Sequence, residues 1–167
     1  MLRMEAVAAD SPHLPAVDAL MMRAFPANER MPLKLLMSGG REGAELFALL
    51  DGERFCGFIS LLTWRDVTHI LFFAIDEPLR GRGLGGEALR LVCRVKRGQR
   101  VIADLEACDD RAPNAEQRRK RRRFYERGGF APTEIAYRWR GERYVVLSYG
   151  GPVTSAEFDQ FWDHFDK

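Results

Sequence analysis

The stretch ILFFAIDEPLRGRGLGGEALRLVCRV, residues 70–95, decides the fold of this chain. It opens with an unbroken apolar run, Ile70 to Ile75, which predicts a strand buried on both faces. It closes with apolar residues at the spacing of an amphipathic helix, namely Leu84, Ala88, Leu91, Val92 and Val95. The glycine-rich turn between them leaves backbone N–H groups uncovered beside the positive end of a helix dipole. The stretch therefore predicts a strand, a phosphate-binding turn and a helix.

The glycines of this turn fit more than one pattern. Gly81, Gly83 and Gly86 satisfy G-x-G-x-x-G, and Asp104 or Glu106 lies about where that dinucleotide fingerprint places a ribose-binding acid. A dinucleotide fold enters its glycines directly from the strand, whereas a polar, proline-containing segment intervenes here. The phosphate loop of nucleotide hydrolases is absent, because no Gly-Lys-Ser/Thr follows. A simple turn with a helix cap remains the alternative interpretation of the glycines alone.

Length and composition predict one globular domain over residues 1–167. Of the 167 residues, 46% are hydrophobic and 30% charged, and the net charge of +2 gives no field that favours nucleic acid or membranes. The three cysteines, Cys56, Cys93 and Cys108, lie far apart, which suits a reducing compartment better than a disulfide framework. No signal peptide or membrane-spanning run is recognisable, so we expect a cytoplasmic protein.

Hydrophobic spacing and turn residues predict the other elements. Before the central stretch we expect a strand at 2–8, a helix that starts at Asp10-Ser11-Pro12 and ends near Phe25, and a short helix at 33–37. We also expect strands at 45–50 and 54–64, joined in a hairpin at Asp51-Gly52. After the central stretch we expect a strand at 100–107, a helix at 115–127 capped by Asn114 with Gln117, a hairpin of strands 134–140 and 144–149, and a closing helix at about 154–166. Thr154 with Glu157 predicts a capping box at the start of this last helix. This order predicts an α/β domain with a mixed, mostly antiparallel sheet of about seven strands flanked by helices.

Two motifs in this order resemble those of one enzyme family. Arg80, Gly83 and Gly85 fit R-x-x-G-x-G within I-D-E-P-L-R-G-R-G-L-G, and residues 124–130 read F-Y-E-R-G-G-F. Together with A-F-P-A-N-E-R at residues 24–30, they resemble the GNAT superfamily of N-acetyltransferases, in particular bacterial members with a basic helix before F-Y-E-R. The resemblance spans roughly Met22 to Tyr149 and includes the element order. It implies a GNAT-like sheet with splayed central strands.

The resemblance implies acetyl-CoA as cosubstrate and an amine as acceptor, either a small molecule or a peptide. In this family the strand ending at Phe73, Ala74 and Ile75 binds the pantetheine arm through its free backbone groups. The following loop holds the pyrophosphate, here Arg80, Gly81, Arg82, Gly83, Leu84, Gly85 and Gly86. Arg118 replaces the asparagine that the family usually has on the next helix, and Asn114 lies one turn earlier. These two residues are the expected coenzyme contacts of that helix.

Attack of an amine on the thioester in a ternary complex requires two proton transfers. A base removes the proton of an amine with a pKa of ~10, and an acid protonates a thiolate with a pKa of ~8.5. The resemblance implies Tyr125 as the acid, with core packing as its alternative role. We expect Glu106 to be the base, directly or through water, with Glu29 as the second candidate. Asp104 and Asp76 are further alternatives.

Several other interpretations stay open. The basic run Arg118–Arg123 is typical of a phosphate-backbone binder, but six consecutive cations wrap all round a helix, which favours a solvated face or a contact with the coenzyme 3′-phosphate. A non-catalytic CoA-binding or nucleic-acid-binding module and a dinucleotide-binding protein are the alternative functions. The aromatic stripe of the closing helix, Phe158, Phe161, Trp162 and Phe165, predicts core packing or a homodimer contact. The histidines lack metal-ligand spacing, so no metal is expected.

Overall fold

The computed structural model describes residues 1–166. Its elements are β1 (Leu2–Ala6), α1 (Leu14–Ala24), α2 (Leu33–Leu36), β2 (Ala44–Asp51), β3 (Arg54–Trp64), β4 (Val67–Ile75), α3 (Leu84–Val95), β5 (Arg100–Glu106), α4 (Ala115–Arg127), β6 (Ala131–Trp139), β7 (Glu142–Tyr149) and α5 (Ser155–Phe165). The predicted α/β class, with a mixed and mostly antiparallel seven-stranded sheet flanked by helices, is confirmed. The splay of the central strands stays a prediction. No helix within residues 1–166 is long and apolar enough to cross a membrane.

The chain divides into two compact units. The first comprises Met1–Thr63 and His69–Val95, and its strands follow the order β1-β2-β3-β4. The second comprises Trp64–Thr68 and residues 96–166, with the order β5-β7-β6 and antiparallel pairing throughout. The single domain expected over residues 1–167 stays a prediction.

The core of the first unit is built on one face of α1. Val17, Leu20 and Met21 lie at the i, i+3, i+4 spacing of a buried helix face and pack with Phe58 and Phe72 of the sheet. The predicted helix start at Asp10-Ser11-Pro12 is wrong, because α1 begins at Leu14. The Ser11 hydroxyl accepts the His13 N–H in a local turn, and Pro15 is the proline of the first helical turn.

Strand ends also differ from the prediction. β4 begins at Val67 rather than Ile70, and β6 at Ala131 rather than Glu134. Both strands begin before the residues that mark their predicted starts. β4 was predicted to be buried on both faces, but one face is only half-buried toward the end of the strand. The residues on that face are Leu71, Phe73 and Ile75. This end of β4 is where the sequence predicts a ligand.

Ion pairs and a hydrogen bond of Arg100 connect the start of α5 to the rest of the second unit. Arg100 donates to both carboxylate oxygens of Asp66, to the Pro152 carbonyl and to Glu157. The hydrogen bond from Arg100 lowers the pKa of Glu157 to about 2. The Glu157 carboxylate also completes the predicted capping box with Thr154. Phe158, Phe161 and Phe165 are buried, so three of the four aromatic residues of the stripe belong to the core.

Candidate active site

The glycine-rich turn of the first unit combines left-handed glycines with the start of α3. Gly81 and Gly83 have φ angles of 81° and 78°, in the left-handed region that favours glycine. A Cβ atom added to either would meet no protein atom within 4 Å. The first N–H groups of α3 have no intrahelical acceptors, and Glu87 is the first residue to close a turn, onto the Gly83 carbonyl at 3.1 Å. This arrangement suits the oxygens of a phosphate.

Charged residues frame the entry to this turn. Arg80 is exposed, and its Nε donates to the Ile75 carbonyl at 3.2 Å, so its side chain folds back over the end of β4. Arg82 is exposed as well. Asp76, one of the alternative bases, accepts a hydrogen bond from Arg23 at 3.1 Å and thereby joins the end of β4 to α1.

The end of β4 lies very close to β3. A Cβ atom at Gly57 would lie 2.2 Å from the Ala74 carbonyl oxygen and 3.0 Å from the Ile75 Cα, so only glycine fits. The Asp76 N–H donates to the Cys56 carbonyl at 2.8 Å, and the register of β2 with β3 shifts at the same level. Sequence reasoning missed Gly57, although a glycine inside an apolar strand is a recognised mark of close backbone approach. Gly57 thus fixes the strand end that is predicted to bind pantetheine.

In the second unit, Glu106, Asn114 and Arg118 form one hydrogen-bonded group. Arg118 Nη2 lies 2.7 Å from Glu106 Oε2, Asn114 Nδ2 donates to Glu106 Oε1 at 3.4 Å, and Arg118 Nε donates to Asn114 Oδ1 at 2.8 Å. Asn114 is the N-cap residue of α4 as predicted, but the reciprocal cap with Gln117 is wrong, because the Asn114 side chain makes no capping hydrogen bond. Its carbonyl oxygen and amide serve Arg118 and Glu106 instead.

Arg118 is a buried residue, although it belongs to a run of six cations. Its side chain is only 6% exposed, and its remaining contacts are the Ala107 carbonyl at 3.1 Å from Nη1 and Glu142 Oε2 at 3.3 Å from Nη2. Sequence reasoning missed Glu142, because its approach depends on the register of the β6–β7 hairpin rather than on any local pattern.

The rest of the basic run lies on a solvated face. Arg119 pairs with Asp110 and Glu116, Arg122 with Glu126, and Arg123 with Glu116. These pairs neutralise much of the positive charge locally. A role of the run in nucleic-acid binding or in contact with the 3′-phosphate stays untested.

Tyr125 is packed between aromatic rings at the end of α4. It is 5% exposed, and the rings of Phe124 and Phe130 each lie 5.2 Å from its own in edge-on geometry. Burial raises the pKa of Tyr125 to about 12; the Asp104 carboxylate adds to this, and the Arg121 guanidinium opposes it. The phenol is therefore protonated at neutral pH, which is the state that a general acid requires.

The two remaining base candidates have different surroundings. Asp104 accepts a hydrogen bond from the Tyr137 hydroxyl, and burial together with this carboxylate raises the pKa of Tyr137 above its ordinary value. Glu29 is half-buried in the loop after α1, where its N–H donates to the Pro26 carbonyl at 2.9 Å. The adjacent Arg30 donates to the Phe25 carbonyl at 2.8 Å and the Met22 carbonyl at 3.0 Å, so it caps α1.

The predicted site residues therefore form two groups. Phe73, Ala74, Ile75 and residues 80–86 belong to the first unit, whereas Glu106, Asn114 and Arg118 are hydrogen-bonded to one another in the second, which also holds Tyr125. Within residues 1–166, no group of three or more His, Cys, Asp or Glu side chains could hold a metal ion.

Comparisons with known proteins agree with the predicted fold. A family model described as the acetyltransferase (GNAT) family matches residues 14–130. A solved protein from Bacteroides thetaiotaomicron, assigned to the GNAT family, is similar with a TM-score of 0.77 and 20% identity over 98% of this chain and 94% of that chain. The ribosomal-protein-S18-alanine N-acetyltransferase from Escherichia coli has a TM-score of 0.63 and 18% identity over 89% and 93% of the two chains.

A GNAT acetyltransferase from Elizabethkingia anophelis, solved with acetyl-CoA bound, has a TM-score of 0.58 and 16% identity over 89% of this chain and 97% of that chain. No curated protein matches significantly. At these identities the likeness to solved structures concerns the fold, and the GNAT-like fold expected from the sequence is confirmed.

Proposed function

We propose that this chain, which belongs to the GNAT family of acetyltransferases, transfers an acetyl group from acetyl-CoA to a primary amine. The amine attacks the thioester directly, in a ternary complex. The observation that carries the proposal is the turn at residues 80–86, where two left-handed glycines with open surroundings lead into the first turn of α3 within the family motif. Two similar proteins support it: one is the ribosomal-protein-S18-alanine N-acetyltransferase from Escherichia coli, and the other was solved with acetyl-CoA bound.

We assign the coenzyme to residues of the first unit. The turn at residues 80–86 would hold the pyrophosphate through its N–H groups, and the exposed Arg80 and Arg82 would add positive charge. The backbone at Phe73, Ala74 and Ile75 would hydrogen-bond the pantetheine arm. A coenzyme role for Asn114 and Arg118 stays a prediction.

The chemistry requires the amine nitrogen to attack the thioester carbon and the carbon–sulfur bond to break. Tyr125 donates its proton to the departing thiolate, which its buried, protonated hydroxyl suits. Glu106 accepts the proton from the amine, directly or through water. Each of its carboxylate oxygens has two lone pairs and, among residues 1–166, one protein partner, so both oxygens can accept a further hydrogen bond. Glu29 is the second candidate for the base.

The acceptor is a small-molecule or peptide amine, and the proposed location is the cytoplasm, since the three cysteines are free and suit a reducing compartment. The test is a library of amine acceptors incubated with acetyl-CoA and the protein, with release of free thiol as the readout. Turnover with at least one amine, and acetylated product in the mass spectrum, are the expected results. Binding of acetyl-CoA without turnover on any amine would identify a non-catalytic binding module. Tight NAD binding without acetyl-CoA binding would refute the assignment of the turn.

A further inference from the structure

Arg118, in the first turn of α4, contacts Glu106, the last residue of β5. Both oxygens of the Glu106 carboxylate have a partner, Arg118 at Oε2 and Asn114 at Oε1. The Glu106 side chain is nevertheless 28% exposed, so it remains accessible to a further group. We propose that Arg118 is a positioning residue, which fixes the Glu106 carboxylate in the orientation that accepts the amine proton. This inference rests on the proposed function.

The contacts of Arg118 are those of a preorganised group. Burying a guanidinium is costly unless its donors find partners, and here Nε, Nη1 and Nη2 all do. The 2.7 Å contact with Glu106 is in the range of strong, charge-assisted hydrogen bonds. Because separate groups hold the two oxygens, both the side-chain torsions and the plane of the carboxylate are restrained. A reacting group held in one orientation gains rate by proximity.

Glu142 provides a matched comparison for Glu106. Its Oε2 lies 3.3 Å from Arg118 Nη2, the nitrogen that also contacts Glu106. Glu142 is 49% exposed, begins β7 and has no place in the proposed reaction. A substitution of Glu142 removes one partner of Arg118 and leaves the Glu106 contact intact.

A positioning role and a merely structural role predict different kinetics. If Arg118 acts through Glu106, replacing Arg118 should lower turnover only in a protein whose Glu106 can still act as a base. If Arg118 only stabilises the fold, its removal should lower turnover by the same factor whether or not Glu106 is present. A double-mutant cycle distinguishes the two, because residues that act as a unit give non-additive effects.

The experiment compares the wild type, Arg118→Met, Glu106→Gln, the double variant and the control Glu142→Gln, each checked for folding by its melting temperature. Thiol release with the best acceptor gives kcat and the KM for acetyl-CoA. We expect Arg118→Met to lower kcat about 10- to 100-fold, on the scale of a misplaced catalytic group, with little change in that KM. In the Glu106→Gln background the same change should lower kcat less than about twofold. Glu142→Gln should keep near-wild-type kcat.

An equal loss in both backgrounds, or wild-type turnover of Arg118→Met, would overturn the inference and leave the proposed function intact. Wild-type turnover of Glu106→Gln would remove Glu106 as the base and the inference with it. Absence of thiol release from the wild type with every acceptor would refute the proposed function itself. If Arg118→Met fails to fold, Arg118→Lys takes its place in the cycle, since it keeps the charge but cannot hold three partners at once.

Discussion

Replacing Gly83 with alanine separates ligand binding from backbone strain. The added methyl group would meet no protein atom within 4 Å, but the residue would keep a φ angle of 78°. The left-handed conformation costs a residue with a Cβ about 1–2 kcal/mol, so we expect a stability loss of that size. At about 2–4 °C for each kcal/mol in a chain of this length, the melting temperature should fall by roughly 2–8 °C.

The same methyl group lies on the turn that we assign to the pyrophosphate. If it displaces the pyrophosphate from one charge-assisted hydrogen bond, binding loses about 1.5–3 kcal/mol. With a tenfold change in Kd for every 1.4 kcal/mol, acetyl-CoA should bind about 10- to 100-fold more weakly. Calorimetric titration of the folded variant with acetyl-CoA measures this change directly.

The matched control is Gly98→Ala. Gly98 has a φ angle of 87° and equally open surroundings, but it lies in the turn between α3 and β5 and has no assigned ligand. Both variants should lose similar stability, and only Gly83→Ala should lose affinity for acetyl-CoA. Unchanged affinity in Gly83→Ala, or an equal loss in both variants, would show that the turn does not bind the coenzyme as proposed.

Three further predictions concern the proton-transfer residues and the ion pair between Arg100 and Glu157. Tyr125→Phe keeps the ring and removes the hydroxyl, so turnover should fall about 100-fold with little change in acetyl-CoA affinity or melting temperature; unfolding, or normal turnover with every acyl donor, would make Tyr125 a core residue only. Glu106→Gln should lower turnover about 100-fold or more, most strongly at low pH where little of the acceptor amine is already neutral, and a pH–rate profile equal to that of the wild type would move the base to Glu29 or to no side chain. Glu157→Gln should lower the melting temperature at pH 7, because the pKa of Glu157 is depressed to about 2 and its stabilising contribution is present above the ordinary value of 4.5. That difference from the wild type should shrink as the pH falls from 4.5 toward 2, and a difference that does not vary with pH would contradict the assigned ion pair with Arg100.

Much of the fold could be predicted because its strongest patterns are local. The apolar run before the glycines, the Asp51-Gly52 hairpin and the Thr154 capping box each depend on residues close in sequence, and each predicted element is present. The start of α1 was predicted wrongly, since Ser11 uses its hydroxyl in a turn rather than as a cap. Strand ends were missed where backbone pairing continues through polar residues.

The candidate site was less predictable, because its contacts join residues that are distant in sequence or depend on burial. The sequence marks Arg118 as one cation among six, and nothing local distinguishes the buried one. Its partner Glu142 comes from a hairpin whose register no short pattern reveals. Likewise, the Asn114 side chain was expected to cap α4, but it hydrogen-bonds Arg118 and Glu106 instead, because both lie within reach of its amide group.

The close approach at Gly57 has a consequence for mutational scanning of this protein. A Cβ atom at position 57 would lie 2.2 Å from the Ala74 carbonyl oxygen, so we expect every substitution of Gly57 to prevent correct folding. Activity should therefore be lost with every acceptor and every acyl donor. In a map of tolerated substitutions, position 57 would look as intolerant as a catalytic residue. Measuring cellular abundance beside activity would tell the two apart, because variants at position 57 should disappear from the soluble pool, whereas Tyr125→Phe should remain abundant and inactive.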